Sequence, residues 1–314
     1  MPEWRDPEVA ALQSAFAALA AAPDAPRPPW SDRRAGIDAM GAAMPPPESV
    51  LVEAMELGGV PAEKIAPSNA VADRTLFYLH GGGYCVGGCA SHRTMAARMA
   101  EQAQATAFVV DYRLAPEHPF PAAHDDALAA WRAVLALGRD PARTIIAGDS
   151  AGGGLSVACA VAARDAGLPL PAGLHLISPW VNLINASPAY AAKGATDFII
   201  TQQGIDEFAE GYVGAGHRRD PRASPLFADL AGLPPMLIQV GSEEVLMSDS
   251  IPAGRGRRLR PGRCHPAHLA RHDPHLALLR HAERRRPGDR GIDRVDQGAG
   301  GVGKLDLAQS ISPT

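Results

Sequence analysis

The chain has 314 residues, of which 46% are hydrophobic and 20% charged, and its formal net charge is −4. That is globular composition, enough for one large α/β domain with a small appendage, and the acidic balance argues against a nucleic-acid binder. No apolar run approaches the ~18 residues that a membrane span needs.

Residues 7–22 read as an amphipathic helix. The N-terminus lacks the basic start of a signal peptide, and Glu8 interrupts its apolar run, so a cytoplasmic location is expected. A second helix is predicted over 30–43, and Pro45-Pro46-Pro47 closes this N-terminal segment, residues 1–47. Ser49–Leu57 and Thr75–Leu79 are predicted strands. Ala105–Asp111 is a short apolar run, as a buried parallel strand would be. A helix is predicted over Pro121–Leu137, a buried strand over Arg143–Ala147 and a helix rich in Ala and Val over Ala151–Ala166. Gly173–Ile177 and Met236–Val240 are two further strands, and 183–216 is helical or irregular. Strands alternating with helices predict an α/β fold for residues 48–250, a mostly parallel sheet with helices on both faces.

Residues 251–314 differ from this. They hold 13 Lys and Arg against 6 Asp and Glu, five of the 11 histidines, and no Phe, Trp or Tyr. Such a segment is expected to pack poorly against a sheet, because it offers few large apolar side chains and dense positive charge. The four cysteines, Cys85, Cys89, Cys159 and Cys264, are expected to be thiols in a cytosolic protein. Cys85 and Cys89 lie close together, but no nearby His or Cys completes a metal-ligand pattern, so no metal site is expected.

Two motifs carry chemistry. Gly148-Asp149-Ser150-Ala151-Gly152 fits G-x-S-x-G and sits between a predicted strand and a predicted helix, the context that motif requires. A nucleophilic serine must occupy a sharp turn that projects its hydroxyl, its neighbours must be small, and the helix N-terminus then aims its dipole at the site. Ser150 is therefore the candidate nucleophile. His80-Gly81-Gly82-Gly83 directly follows the Thr75–Leu79 strand. Consecutive glycines let backbone N–H groups face a negative oxygen unobstructed, and Gly82, Gly83 and Ala151 are the candidate donors of an oxyanion hole. A phosphate-binding glycine turn fits less well, because no Gly-Lys-Ser/Thr follows and no G-x-G-x-x-G opens a helix.

With HGGGY at 80–84, DYRLAPEHPFPAAHDD at 111–126, GDSAGG at 148–153 and SPW at 178–180, the chain resembles the hormone-sensitive-lipase-like branch of the α/β-hydrolases. The resemblance runs from about residue 30 to residue 250. It implies the α/β-hydrolase fold, an N-terminal helical cap aided by residues near 183–216, and short-chain acyl esters as substrates. It implies no cofactor. Lactones are cyclic esters and are opened by the same chemistry. The family's acid follows a late strand, and aligning Leu246 with the family's Leu puts Glu244 in its place, with Glu243 second and Asp249 third. A Glu can serve as well as an Asp, since either carboxylate orients and stabilises the imidazolium.

Family members next carry an aromatic-rich turn with the catalytic His. This chain instead reads as GC-rich DNA taken in the wrong frame. Decoding Pro266–Arg280 one base later permits Leu-His-Ile-Trp-Pro-Gly-Met-Ile-His-Thr-Trp-His-Cys-Phe, which has the family's Trp-x-x-Met-x-His-x-Trp-His shape. A single-base shift near Ile251 or Pro252 is therefore expected. The re-read His draws its codon from Pro274 and His275, so within the chain as written His275 stands nearest the place of the general base. The reaction implied is acyl transfer through Ser150, a His and Glu244, by way of an acyl-enzyme. Two alternatives stay open. One is a catalytically impaired ligand-binding member of the same fold, as in the plant gibberellin receptors, which lack the catalytic His. The other is amide or peptide hydrolysis. The partner is a small ester or lactone, and the sequence leaves oligomeric state open.

Overall fold

The computed structural model describes residues 27–194, 197, 199–241 and 243–248. The predicted helix at 7–22, Asp249, and the segment 251–314 with His275 lie outside the described residues.

Among the described residues, seven strands form one sheet in the order β1-β2-β4-β3-β5-β6-β7. They are β1 Val50–Leu57, β2 Val60–Pro67, β3 Thr75–Leu79, β4 Thr106–Val110, β5 Thr144–Asp149, β6 Gly173–Ile177 and β7 Met236–Gln239. The pairs β1–β2 and β2–β4 are antiparallel, and all other pairs are parallel. Every residue of β3 and β4 is buried, which is why both read as continuous apolar runs. The period of two still sorts them by face. Phe77 and Leu79 join the larger core with Phe108, Trp131 and Ile146, while Leu76 and Tyr78 join a second core with Ile65, Met95 and Val109.

The described α-helices are α1 Trp30–Ala42, α2 Cys89–Ala103, α3 Ala122–Ala136, α4 Ser150–Asp165, α5 Pro188–Lys193 and α6 Gln202–Val213. Helix α2 packs on β2 and β4, and α3 packs beside α4. Met95, Ala96 and Ala100 of α2 belong to the second core, Trp131 of α3 and Leu155 of α4 to the first. Among the described residues no helix is long and apolar enough to cross a membrane.

Two elements are additions to the sequence reading. Strand β2 pairs with β1 through a two-residue turn at Gly58 (φ 64°) and Gly59 (φ 83°), the positive-φ pair that a tight hairpin requires. Its two prolines, Pro61 and Pro67, had hidden a strand pattern. Helix α2 is built mostly from Ala, Met, Arg, Glu and Gln, which are good helix formers.

Register fixes the site. Leu79 at the end of β3 lies opposite Gly148, and Asp149 at the end of β5 lies opposite Ile177 at the end of β6. Ile177 in turn lies opposite Gln239 at the end of β7. The segments leaving β3, β5, β6 and β7 therefore emerge together at the carboxyl edge of the sheet, where open α/β folds bind ligands.

Candidate active site

Strand β5 turns into α4 without a spacer, and Ser150 takes φ 50° at the junction. For a residue with a Cβ that is a strained, left-handed conformation, one that persists where surrounding structure enforces it. Here the enforcement is close packing. A Cβ on Gly152 would overlap the carbonyls of Leu79 and His80, and one on Gly154 would overlap the Trp180 carbonyl. Only glycine lets the first turn of α4 seat so tightly on the strand ends. The Ser150 carbonyl accepts the Trp180 N–H at 2.8 Å, which ties the elbow to the segment after β6.

The glycine loop after β3 is held from inside by Asp149. Its Oδ1 accepts the Gly81 N–H at 2.9 Å and the Tyr78 hydroxyl at 2.6 Å, and its Oδ2 lies 3.5 Å from His92 Nε2. Burial opposes charge on both groups, yet their mutual attraction and hydrogen bonding hold His92 above, and Asp149 below, their ordinary values. His80 stays neutral: burial, then the nearby His92 charge, pushes it down to about 3. Its Nδ1 donates to the Gly81 carbonyl at 2.7 Å, and its ring stacks on Tyr112 at 4.1 Å. Gly81 is thus committed to Asp149. Among the described residues the N–H groups of Gly82 and Gly83 have no acceptor. Ala151 lies in the first turn of α4, where N–H groups lack intrahelical acceptors. Gly82 takes φ 115° and Gly83 φ 60°, and a Cβ on Gly82 would overlap the Val86 carbonyl.

On the far side, Glu244 is buried while Glu243 is exposed. Glu244 Oε1 accepts the Ser178 hydroxyl and the Gly241 N–H, both at 2.7 Å. Ser178 itself has φ 45°, and its N–H donates to the Gln239 carbonyl at 2.7 Å. The next backbone amide after Glu244, that of Val245, donates to Asp197 Oδ2 at 3.0 Å. So Ser178-Pro179-Trp180 bridges the two chemical groups, bonding Glu244 through its first residue and Ser150 through its last.

The sequence-predicted residues Gly82, Gly83, Ser150, Ala151 and Glu244 all lie at this one edge of the sheet. His275 lies outside the described residues. Sequence reasoning missed the supporting groups. Asp149 is the variable position of G-x-S-x-G, and nothing in the motif announces its bond to Gly81. Ser178 was visible within SPW but carried no role. His92 and Asp197 had no signal beyond being polar residues among apolar neighbours. Among the described residues no cluster of His, Cys, Asp and Glu forms a metal-binding group, and Cys85, Cys89 and Cys159 are buried free thiols. Burial pushes the Cys85 and Cys159 thiols up to about 12, so neither is a nucleophile at neutral pH.

In the protein that carries the general base, Glu244→Ala is expected to cost far more activity than Glu243→Ala, by about 100-fold or more in kcat, because Glu244 is buried with Oε1 held by Ser178 and Gly241. Initial rates of both variants on p-nitrophenyl acetate check this. The reverse ranking would move the acid by one residue.

The alpha/beta hydrolase fold family matches residues 76–258. An acetyl-hydrolase of Streptomyces hygroscopicus is 43% identical over 213 residues, 68% of this chain and 70% of that protein. An esterase of Acinetobacter venetianus is 36% identical over 218 residues, 68% of this chain and 71% of its own length. Among solved structures, an esterase from the bacterial hormone-sensitive lipase family matches with a TM-score of 0.76 at 38% identity, covering 81% of this chain and 84% of that one. The matched residues contain the glycine loop, the elbow, Ser178 and Glu244.

Proposed function

The chain belongs to the α/β-hydrolase family, within its hormone-sensitive-lipase-like branch of carboxylic ester hydrolases, and on that premise we propose that it cleaves short acyl esters and lactones through an acyl-enzyme on Ser150. The observation that carries this reading is the left-handed Ser150 at the strand-to-helix turn, with the Gly82-Gly83 loop beside it and Asp149 joining the two. A general base takes the Ser150 proton as Oγ attacks the ester carbonyl. The N–H groups of Gly82, Gly83 and Ala151 hold the negative oxygen. The protonated base returns its proton to the leaving alcohol, and water then releases the acid. Glu244, fixed by Ser178 and Gly241, orients the base.

The base belongs to the segment 251–314. His275 is the nominee in the chain as written, and the shifted reading supplies a His from the codons of Pro274 and His275. Two facts favour the shift: composition breaks near residue 251, and the family match stops at residue 258. The acetyl-hydrolase relative favours a small acyl group.

The test is a panel of p-nitrophenyl esters from acetate to palmitate, together with small lactones and an amide analogue. Acetate and butyrate are expected to exceed palmitate by about tenfold or more in kcat/KM, since an added CH2 that finds no apolar pocket gains nothing. The amide analogue should stay at background. A preference for long-chain esters, or comparable amide turnover, would contradict the reading.

A further inference from the structure

The inner face of the glycine loop rests on Asp149, and its outer face rests on the cap. A Cβ built on Gly83 would fall 2.6 Å from Phe208 Cγ and closer still to Cδ1, so the Phe208 ring of α6 occupies the space where a side chain would be. That ring is itself held. Trp30 of α1 packs against it at 5.2 Å between centroids. The Arg33 guanidinium lies 3.9 Å from the Trp30 centroid and 4.7 Å from that of Phe208. Arg33 Nη1 bonds Glu207 Oε1 at 3.0 Å, and Arg27 pairs with the same carboxylate.

The next loop residues are gripped in the same way. Tyr84 stacks on Tyr212 of α6 at 3.8 Å and 9°. Arg34 of α1 donates from Nε to the Cys85 carbonyl and from Nη2 to the Ala115 carbonyl, each at 2.8 Å. Within the loop, the Gly82 carbonyl accepts the N–H groups of Cys85 (3.1 Å) and Val86 (3.0 Å). This turn orients the Gly82-Gly83 peptide.

We infer that Phe208 is a positioning residue for the oxyanion hole: its ring, braced by Trp30 and Arg33, holds Gly83 at φ 60° so that the Gly82 and Gly83 N–H groups face the developing negative oxygen. The inference rests on those glycines being the donors. Glycine at φ > 0 has little intrinsic preference for one conformation, so without an outside contact this loop would sample others. The cap then shapes the reaction centre as well as covering it.

Hydrogen exchange and kinetics on Phe208→Ala and Phe208→Leu test this in the full chain. Phe208→Ala should speed exchange at the Cys85 and Val86 amides by about tenfold or more, with little change in the strands, because the opening is local. Its kcat on p-nitrophenyl acetate should fall about 10- to 100-fold, since misplaced donors weaken transition-state stabilisation. KM should stay within about twofold, and acetate and butyrate should lose equally. Phe208→Leu, which refills part of the space, should recover most of both effects and serves if the alanine variant unfolds. Unchanged exchange at residues 80–86 in both variants overturns the inference. So does an intact kcat with altered chain-length preference, which would make Phe208 only a pocket wall. Absence of ester hydrolysis even in a parent that carries the general base would count against the site reading itself, while exchange would still decide whether Phe208 holds the loop.

Discussion

Ser150→Ala is expected, in the protein that carries its general base, to lower p-nitrophenyl acetate hydrolysis by about 10⁴-fold or more and to abolish labelling by a fluorophosphonate. Loss of a nucleophile that acts with its base as a unit has effects of that size. The fold should survive. Ser150 is half-buried, and the group that ties it into the fold is its backbone carbonyl, bonded to Trp180. A thermal midpoint within a few degrees of the parent's is expected, since substitutions away from buried contacts usually stay within about 0.5 kcal/mol. Mass mapping of the parent should find the label on Ser150 alone. Residual hydrolysis equal to the parent's would sink the assignment.

The second large effect lies in residues 251–314. Expression of the gene with one base removed near the codon for Pro252, which sets the later frame, is expected to raise kcat/KM by about 10³-fold or more over the chain as written, because it supplies a general base where the family carries one. The protein made from the natural gene should then differ in intact mass from 32.8 kDa and yield a C-terminal peptide containing tryptophan. Recovery of the tryptic peptide Cys264–Arg271 with full activity would show that the written segment is translated, and that another base serves Ser150. Glu244 gives a further reading. Its replacement should cost much in the restored protein and little in one lacking the His, since a carboxylate that orients an absent base does nothing.

What the sequence disclosed and what it hid follow one rule. Local chemistry was legible: β3 to β7 announced themselves as short apolar runs, and Gly82, Gly83 and Ser150 stood in motifs whose geometry is dictated by neighbours a few residues away. Interactions across long sequence separations were not. Asp149 bonds Gly81, 68 residues earlier, and Ser178 bonds Glu244, 66 residues later. Neither partner is marked by periodicity. Strand β2 was missed although Gly58-Gly59 signals a hairpin, because Pro61 and Pro67 argue locally against a strand. Both are tolerated at its ends, where tertiary context overrides propensity. Helix α2 had the propensity but no strong amphipathic stripe, since Ala96, Ala97 and Ala100 bury small side chains that a hydrophobic pattern weighs lightly. Glu244 was chosen over Glu243 by resemblance, and burial now separates the two.

The packing of Trp30 against Phe208 and Arg33 has an optical consequence. Trp131 and Trp180 are buried at 0% and 1% exposure, whereas Trp30 is half-buried at the junction of α1 and α6. Indole emission from the first two belongs to the core and is shielded from a dissolved quencher such as iodide. Emission from Trp30 is open to it and is perturbed by a guanidinium 3.9 Å from the ring. In the chain as written with Trp4→Phe, quenchable fluorescence therefore reports how firmly α1 and α6 are seated against the glycine loop, with no substrate and no turnover required.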